Sequence, residues 1–169
     1  MKREMATIHF MHGFIGFGKT TVAKKLADDF SAVRLNSDEW MVKLYGQNPP
    51  AEHFKDYLNR IKELHWQLIE QLIKAGVDVI QEDGGWSKEG RAENVARAKM
   101  ITDNIVFHSV QCSLETAKKR TLQRNANEGQ LYIEENTFNM CLRNFEPILE
   151  AEGYKIIYHD GEPLERERR

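Results

Sequence analysis

The segment "HGFIGFGKTT" (12–21) constrains the fold more than any other stretch of the chain. It follows the apolar run "ATIHFM" and precedes an amphipathic stretch, so it stands between a predicted strand and a predicted helix. Gly13, Gly18, Lys19 and Thr20 fit the pattern G-x-x-x-x-G-K-[ST]. Backbone N–H groups of such a loop bind phosphate together with the N-terminus of the following helix. The segment therefore predicts a nucleotide phosphate site rather than an ordinary glycine-rich turn.

Each residue type in this loop has a physical role. We expect Lys19 to reach the β- and γ-phosphates and the Thr20 hydroxyl to ligate Mg²⁺, so ATP and Mg²⁺ are the predicted cofactors. Phe17 is unusual, because the residue before the second motif glycine is more often small. The predicted nucleotide-binding residues are Gly13, Phe14, Ile15, Gly16, Phe17, Gly18, Lys19, Thr20 and Thr21.

Predicted strands and helices alternate along the chain. The strands are 6–12, 32–37, 77–83, 104–112 and 154–159, and the helices are 19–30, 38–46, 51–75, 88–101, 114–126 and 134–145. This alternation predicts an α/β fold, with parallel strands in one sheet and helices on both of its faces. Ligands of such folds bind beyond the carboxyl ends of the strands.

The bulk properties favour one globular domain spanning 1–169. The chain has 169 residues, 41% of them hydrophobic and 30% charged. A net charge of −2 argues against a protein that coats nucleic acid. We expect no membrane span, no signal peptide, a cytoplasmic location, reduced thiols at Cys112 and Cys141, and a solvated charged tail over 162–169.

Four segments carry a resemblance to a known family: "GFIGFGKTT", "LNSDEWMVKLYG", "VIQEDGGWSKEGR" and "CSLETAKKRTLQRN". With them the chain resembles the small P-loop kinases, a group that contains gluconate kinase, shikimate kinase, chloramphenicol phosphotransferase and the zeta toxins. It is most similar to the AAA-type and zeta-toxin-like branch. The resemblance implies a three-layer P-loop fold with a five-stranded sheet in the order 2-3-1-4-5 and a small helical lid at 114–136.

Asp38 ends the second predicted strand and opens a helix, so it can act as a helix N-cap. The resemblance implies a catalytic role at this place, in which an Asp receives the proton of the acceptor hydroxyl or orients that hydroxyl. The two roles are compatible.

The segment "EDGGWSKEGR" (82–91) offers further candidates. An acidic residue at the end of a buried strand beside the glycine loop is typical of a ligand to Mg²⁺-bound water, and we assign this role to Asp83, which directly follows Glu82. Two glycines, Trp86 and Arg91 suggest a wall of the acceptor site. The alternatives are an acidic loop or helix cap for the carboxylates and a core or rim position for Trp86.

Arg120 and Arg124 lie one helical turn apart. The resemblance implies that such arginines close over the nucleotide, either to neutralise the transferring phosphoryl group or to stack on the adenine. The alternative is a solvated helix face. Residues 125–136 would be the mobile part of the lid. Arg60 is a further candidate for acceptor contact, although it is equally compatible with an ordinary surface position.

The sequence thus predicts an ATP-dependent phosphotransferase acting on a hydroxyl of a small molecule. Lys19, Asp38, Arg120 and Arg124 are its predicted catalytic residues, with Asp38, Arg60, Asp83, Trp86 and Arg91 at the acceptor and Thr20 and Asp83 at the metal. One alternative is a polynucleotide-type or zeta-toxin-like kinase with a larger acceptor, although the charge makes nucleic acid a poor partner. Another is a nucleotide-gated switch without an acceptor. The pattern does not specify the acceptor, the base or the oligomeric state.

Overall fold

One strand buried on both sides forms the centre of the molecule. The computed structural model describes residues 5–163, and all five residues of β1 (Ile8–His12) are buried. A strand covered on both faces carries apolar residues at successive positions, which explains the run "ATIHFM". The phosphate-binding segment begins where this strand ends.

The strands β2 (Val33–Leu35), β3 (Val79–Gln81), β4 (Ile105–Gln111) and β5 (Ile156–Asp160) join β1 in one sheet. All neighbours are parallel and the order is β2-β3-β1-β4-β5, which confirms the predicted fold class and strand order. The helices are α1 (Lys19–Phe30), α2 (Ser37–Tyr45), α3 (Ala51–Lys74), α4 (Lys88–Lys99), α5 (Leu114–Arg124) and α6 (Glu135–Arg143). A 3₁₀ turn at Glu150–Glu152 was not predicted.

The sheet has two apolar faces, each covered by helices. On one face, Ala23 and Leu26 of α1 pack against Met11 and Ile80. On the other face, α3 and α4 contribute Trp66, Ile69, Val95 and Ala98 to a core with Ile8, Phe10 and Phe107. The helices found in residues 5–163 include none long and apolar enough to cross a membrane.

Side chains alternate between the two faces of the sheet along β3, so the neighbouring carboxylates of Glu82 and Asp83 lie on opposite faces. Ile80 faces α1, whereas Val79 belongs to the core under α3. Glu82 continues on the α1 side, where it contacts Thr20, and Asp83 contacts Ser37 at the start of α2. Successive residues of an extended chain point to opposite faces, so these two adjacent acids serve different parts of the site.

The N-cap of α2 is Asn36, not Asp38. The Asn36 side-chain oxygen accepts a hydrogen bond from the Glu39 N–H at 2.9 Å, and the helix already begins at Ser37. The cap role predicted for Asp38 is therefore wrong, because the extended chain turns two residues earlier. Ser87 caps α4 and Ser113 caps α5, since the side chain of each accepts a hydrogen bond from the N–H three residues later.

The charged tail predicted over 162–169 is only partly described. Glu162 is not merely solvated, because its carboxylate accepts bonds from the Ser113 N–H and from the Thr116 hydroxyl at the start of α5. Residues 164–169 lie outside the described part of the chain.

His65 of α3 is fully buried, and both of its ring nitrogens lack a hydrogen-bond partner. The edge of Trp40 packs against it, with ring centroids 4.6 Å apart. Burial lowers the pKa of His65 to about 4, with a smaller contribution from Lys62. An imidazole held neutral and unpaired in an apolar core destabilises the fold.

We predict that His65→Leu stabilises the protein by about 1 kcal/mol at pH 7, because it removes two unpaired polar atoms. The gain should grow by about 1.4 kcal/mol per pH unit as the pH falls from 6.5 toward 4. In that window the unfolded histidine binds a proton and the folded one does not, so the wild type loses stability on acidification. Urea unfolding at several pH values measures the effect.

His53→Leu is the matched control, because His53 lies exposed on the same helix. It should leave the pH dependence of stability unchanged. Parallel pH profiles for His65→Leu and the wild type would contradict the assignment of His65 as a neutral buried group.

Candidate functional site

The glycine loop is packed tightly against α5. Gly16 has φ +77°, and a Cβ at this position would lie 2.3 Å from the Ala117 carbonyl oxygen. Only glycine tolerates both the left-handed backbone and this approach. Below the loop, Phe14 is fully buried against Phe138, Trp86 and Phe145. Phe17 packs beside Phe14 and Phe145, so the unusual aromatic residue supports the loop instead of crowding it.

Lys19 is the first residue of α1, and its Nζ donates to the Phe14 carbonyl across the loop at 2.9 Å. The walls of the site desolvate the ammonium and lower its pKa to about 8, although the negative charge of Asp38 opposes this shift. A cation held here with little solvation is suited to bind a phosphate anion.

A buried carboxylate faces the first turn of α1, and it belongs to Glu82. Glu82 Oε1 accepts hydrogen bonds from Thr20 Oγ1 at 3.0 Å and from Asn36 Nδ2 at 3.1 Å. Arg34 binds the other oxygen, Oε2. Burial raises the pKa of Glu82, and the contacts with Arg34 and Thr20 oppose the shift. The acid beside the predicted metal ligand Thr20 is thus Glu82, and the metal role predicted for Asp83 does not fit its position.

The donor set at this point suits Mg²⁺, which prefers oxygen ligands such as hydroxyls, carboxylates, water and substrate phosphates. Because the Thr20 hydroxyl donates its proton to Glu82, its lone pairs are free for a cation. The residues present therefore fit the predicted magnesium ion.

Asp83 is half-buried on the other side of β3. It accepts hydrogen bonds from the Ser37 hydroxyl and from Gln81 Nε2, and burial raises its pKa. Its negative charge also acts on Asp38. Asp83 therefore belongs to the surroundings of Asp38, which is compatible with its predicted place near the acceptor.

Asp38 lines a cleft of about 250 Å³ that lies between α1, α2 and the segment after α5. The cleft is lined by Thr20, Thr21, Lys24, Asn36, Asp38, Glu39, Val42, Arg124, Gly129, Gln130 and Leu131. Asp38 as a residue is exposed to solvent, but the surrounding walls of the cleft shield its carboxyl and raise its pKa, whereas the positive charges of Lys19 and Arg124 lower it. A carboxylate with a raised pKa beside two cations and a phosphate loop can accept a proton from a hydroxyl.

The two arginines of α5 occupy different places. Arg124 lines the cleft and acts electrostatically on Asp38. Arg120 instead donates from Nη1 to the carbonyl oxygens of Gly16 at 3.2 Å and Gly161 at 2.6 Å. Neither belongs to a simple solvated face. Arg120 joins the glycine loop to the segment that follows β5.

Residues 126–132 form a flap whose base is closed by two hydrogen bonds. Asn125 Nδ2 donates to the Ile133 carbonyl at 2.7 Å, and the Ile133 N–H donates to Asn125 Oδ1 at 2.9 Å. Gln47, in the connection between α2 and α3, donates to the Asn127 carbonyl at 2.8 Å and accepts from the Tyr132 N–H at 3.0 Å. The flap lies within the predicted lid and contributes Gly129, Gln130 and Leu131 to the cleft.

The acceptor roles predicted for three residues do not fit their surroundings. Arg91 is buried in an ion pair with Glu152 and also donates to the carbonyls of Gly85 and Glu146, so its donors are used inside the fold. Arg60 is exposed beside Asp56 and does not line the cleft. The Trp86 indole N–H donates to the Gly13 carbonyl at 3.2 Å, and its ring packs on Phe14, so it supports the loop.

Sequence reasoning missed His12, which fixes the rear of the loop. The neighbouring groups determine its tautomer: Nδ1 donates to the Gly85 carbonyl at 2.9 Å, and Nε2 accepts from the Ile148 N–H at 3.0 Å. Burial lowers the pKa of His12 to about 4, so the ring stays neutral. A histidine at the end of a buried strand was the only sequence signal.

The strand–loop–helix unit with Lys19 and Thr20, the acid at the end of the adjacent strand and the strand order together define a P-loop nucleotide-binding protein. The chain belongs to the AAA-domain family, whose model matches residues 8–148. Its fold is that of the P-loop kinases that the sequence resembles. No curated protein matches the sequence.

Solved structures agree on the fold. A Chloroflexus aurantiacus protein provisionally named a kinase superposes with a TM-score of 0.73 at 15% identity, over 93% of this chain and 89% of that one. A gluconokinase from Sinorhizobium meliloti has a TM-score of 0.62 at 13% identity, over 98% and 88%. A chain of the Pnkp1/Rnl/Hen1 RNA repair complex has a TM-score of 0.70 at 20% identity, but the overlap covers 83% of this chain and only 44% of that one.

We predict that the affinity for ATP falls about tenfold between pH 7 and pH 9, because Lys19 loses its proton as the pH rises through about 8. Lys19→Met should bind ATP weakly at both pH values and lose this pH dependence. Calorimetry with ATP and Mg²⁺ measures both effects.

Lys25→Met is the control, since Lys25 lies exposed on the same helix and pairs with Asp29. It should behave as the wild type. If Lys19→Met binds ATP normally, Lys19 does not contact the phosphates.

Proposed function

We propose that the protein transfers the γ-phosphoryl group of ATP to a hydroxyl group of a small molecule. The observation that carries this proposal is the position of Asp38 in one cleft with Thr20, Thr21 and Arg124, next to Lys19. A binding protein or hydrolytic switch needs the phosphate loop, but it has no need of a second carboxylate lining the same cleft.

The residues divide the reaction between them. The loop N–H groups and Lys19 bind the phosphates, and Asp38 accepts the proton of the attacking hydroxyl. Arg124 neutralises charge on the transferring group, which is the main requirement of phosphoryl transfer. Thr20 and Glu82 would hold Mg²⁺, and that ion would neutralise the phosphate oxygens when bound. Asp83, held by Ser37 and Gln81, orients the acceptor beside Asp38.

A larger acceptor is the second candidate, and the superposition on a chain from an RNA repair complex favours it. The net charge of −2 speaks against a nucleic-acid partner. Incubation with ATP, Mg²⁺ and either a metabolite extract or a 5′-hydroxyl oligonucleotide separates the two candidates. A new small-molecule mass one phosphate heavier supports the proposal, whereas labelling of the oligonucleotide alone would favour the alternative.

We predict that Asp38→Asn reduces phosphoryl transfer by ~10²-fold or more, the usual contribution of a general base. ATP affinity should change far less than the transfer rate because the glycine loop is intact, and the melting temperature should stay unchanged because Asn36 provides the cap. Transfer kinetics, calorimetry and thermal unfolding measure the three quantities.

Asp28→Asn, at an exposed position on α1, is the control for loss of one surface charge. A normal transfer rate for Asp38→Asn would remove Asp38 from the mechanism and leave Asp83 as the next carboxylate to test.

Arg124→Gln and Arg120→Gln should affect different kinetic quantities, kcat in the first case and ATP binding in the second. We expect Arg124→Gln to lower kcat by about 10²-fold with little change in ATP affinity, because its charge acts on the transition state. Arg120→Gln should mainly weaken ATP binding, because it releases Gly16 and Gly161. Steady-state kinetics with varied ATP distinguishes them. Equal effects on kcat in the two variants would show that α5 acts only as a structural unit.

A further inference from the structure

Arg34 of β2 lies between the carboxylate that faces the metal site and the helix that carries Asp38. Its Nη1 contacts Glu82 Oε2, and its Nη2 lies 2.8 Å and 2.9 Å from the two carboxylate oxygens of Glu39. The Glu82 side chain is only 1% exposed, and that of Arg34 is 17% exposed. One guanidinium therefore links two carboxylates from different elements.

The link to Glu82 fixes the orientation of the Thr20 hydroxyl. Glu82 Oε1 receives Thr20 and Asn36, and Arg34 holds Oε2, so the carboxylate cannot rotate without breaking a charged hydrogen bond. Groups that hold a metal-binding side chain in this way commonly change metal affinity when they are removed.

The link to Glu39 fixes the first turn of α2. Glu39 directly follows Asp38, and its backbone N–H is already held by the Asn36 cap. The two Nη nitrogens of Arg34 lie in one rigid plane, with Nη1 on Glu82 and Nη2 on Glu39, and a lysine has no such fixed pair of donors. The first turn of α2, which carries Asp38, is thus held by the Asn36 cap and by the pairing of the Glu39 side chain with Arg34.

We propose that Arg34 is a positioning residue that holds the metal-binding hydroxyl of Thr20 and the proton-accepting carboxylate of Asp38 in register. The Arg34 side chain hydrogen-bonds to Glu82 and Glu39 rather than to Thr20 or Asp38. It acts through Glu82 on one side and through Glu39 on the other. The link to Asp38 rests on the proposed phosphotransferase function, whereas the link to Glu82 requires only nucleotide and metal binding.

The experiment separates the two links with Arg34→Met, Arg34→Lys and Glu39→Gln. Manganese binding to the full chain with a non-hydrolysable ATP analogue is measured by electron paramagnetic resonance. Phosphoryl transfer is measured with ATP on the same protein preparations. Arg97→Met is the control for loss of an arginine–glutamate pair, because Arg97 binds Glu63 on the surface through Nη1 and Nη2, at 3.1 and 3.0 Å.

We expect Arg34→Met to weaken manganese binding by about 10-fold or more and to lower transfer as well. Glu39→Gln should leave manganese affinity within about twofold and lower kcat for transfer, without changing ATP affinity. Arg34→Lys should lie between the wild type and Arg34→Met, since it keeps the charge and loses the fork. Arg97→Met should change neither measurement. Melting temperatures identify any variant that fails to fold, and Arg34→Lys then replaces Arg34→Met.

Wild-type manganese affinity and normal transfer in Arg34→Met would overturn the proposal. Equal loss of manganese affinity in Arg34→Met and Glu39→Gln would also overturn it, because the two links would then not be separate. If the wild-type protein transfers phosphate to no acceptor, the proposed function and the link to Asp38 both fail. The manganese measurement still decides the link to Glu82 in that case.

Discussion

The site depends on the hydrogen bonds and the ion pair made by the buried carboxylate of Glu82. This carboxylate receives Thr20 from α1, Asn36 from the cap of α2 and Arg34 from β2, so three elements meet at one side chain. A buried charge destabilises a protein unless it is paired and hydrogen-bonded. The pairing therefore positions these elements relative to one another as well as stabilising the ion. It is possible only because β3 lies between β1 and β2 and brings Glu82 to the carboxyl end of the sheet.

A second set of buried polar contacts holds the rear of the glycine loop. His12 bridges Gly85 and Ile148, and Arg91 bridges Gly85, Glu146 and Glu152. Because the loop closes around phosphate with backbone groups, its shape depends on what holds it from behind. The charge of Arg91, which from sequence suggested acceptor contact, serves this support instead.

The fold was predictable because its signals are local. Apolar β1, the amphipathic stretch of α3 and the caps at Ser87 and Ser113 each indicate an element from a few neighbouring residues. The parts of the site that sequence reasoning missed depend on partners far along the chain. Glu82 is distinguished from Asp83 by partners such as Thr20, 62 positions away, and Arg91 is paired with Glu152, 61 positions away. In a sequence, any charged side chain near a motif is a candidate functional residue. Only the structure shows whether that charge is already paired with another part of the chain.

The flap at 126–132 forms one wall of the cleft. The chain on either side of it is anchored, since α5 touches the loop at Gly16 and α6 packs on Phe14. On the side of α2 it is fastened to Gln47 by two hydrogen bonds, each worth about 1 kcal/mol net in water. Gln47 and Asn125 thus hold the flap at two places through polar contacts. This wall of the cleft therefore rests on a few polar contacts, whereas the phosphate loop beside it is supported by packed aromatic rings.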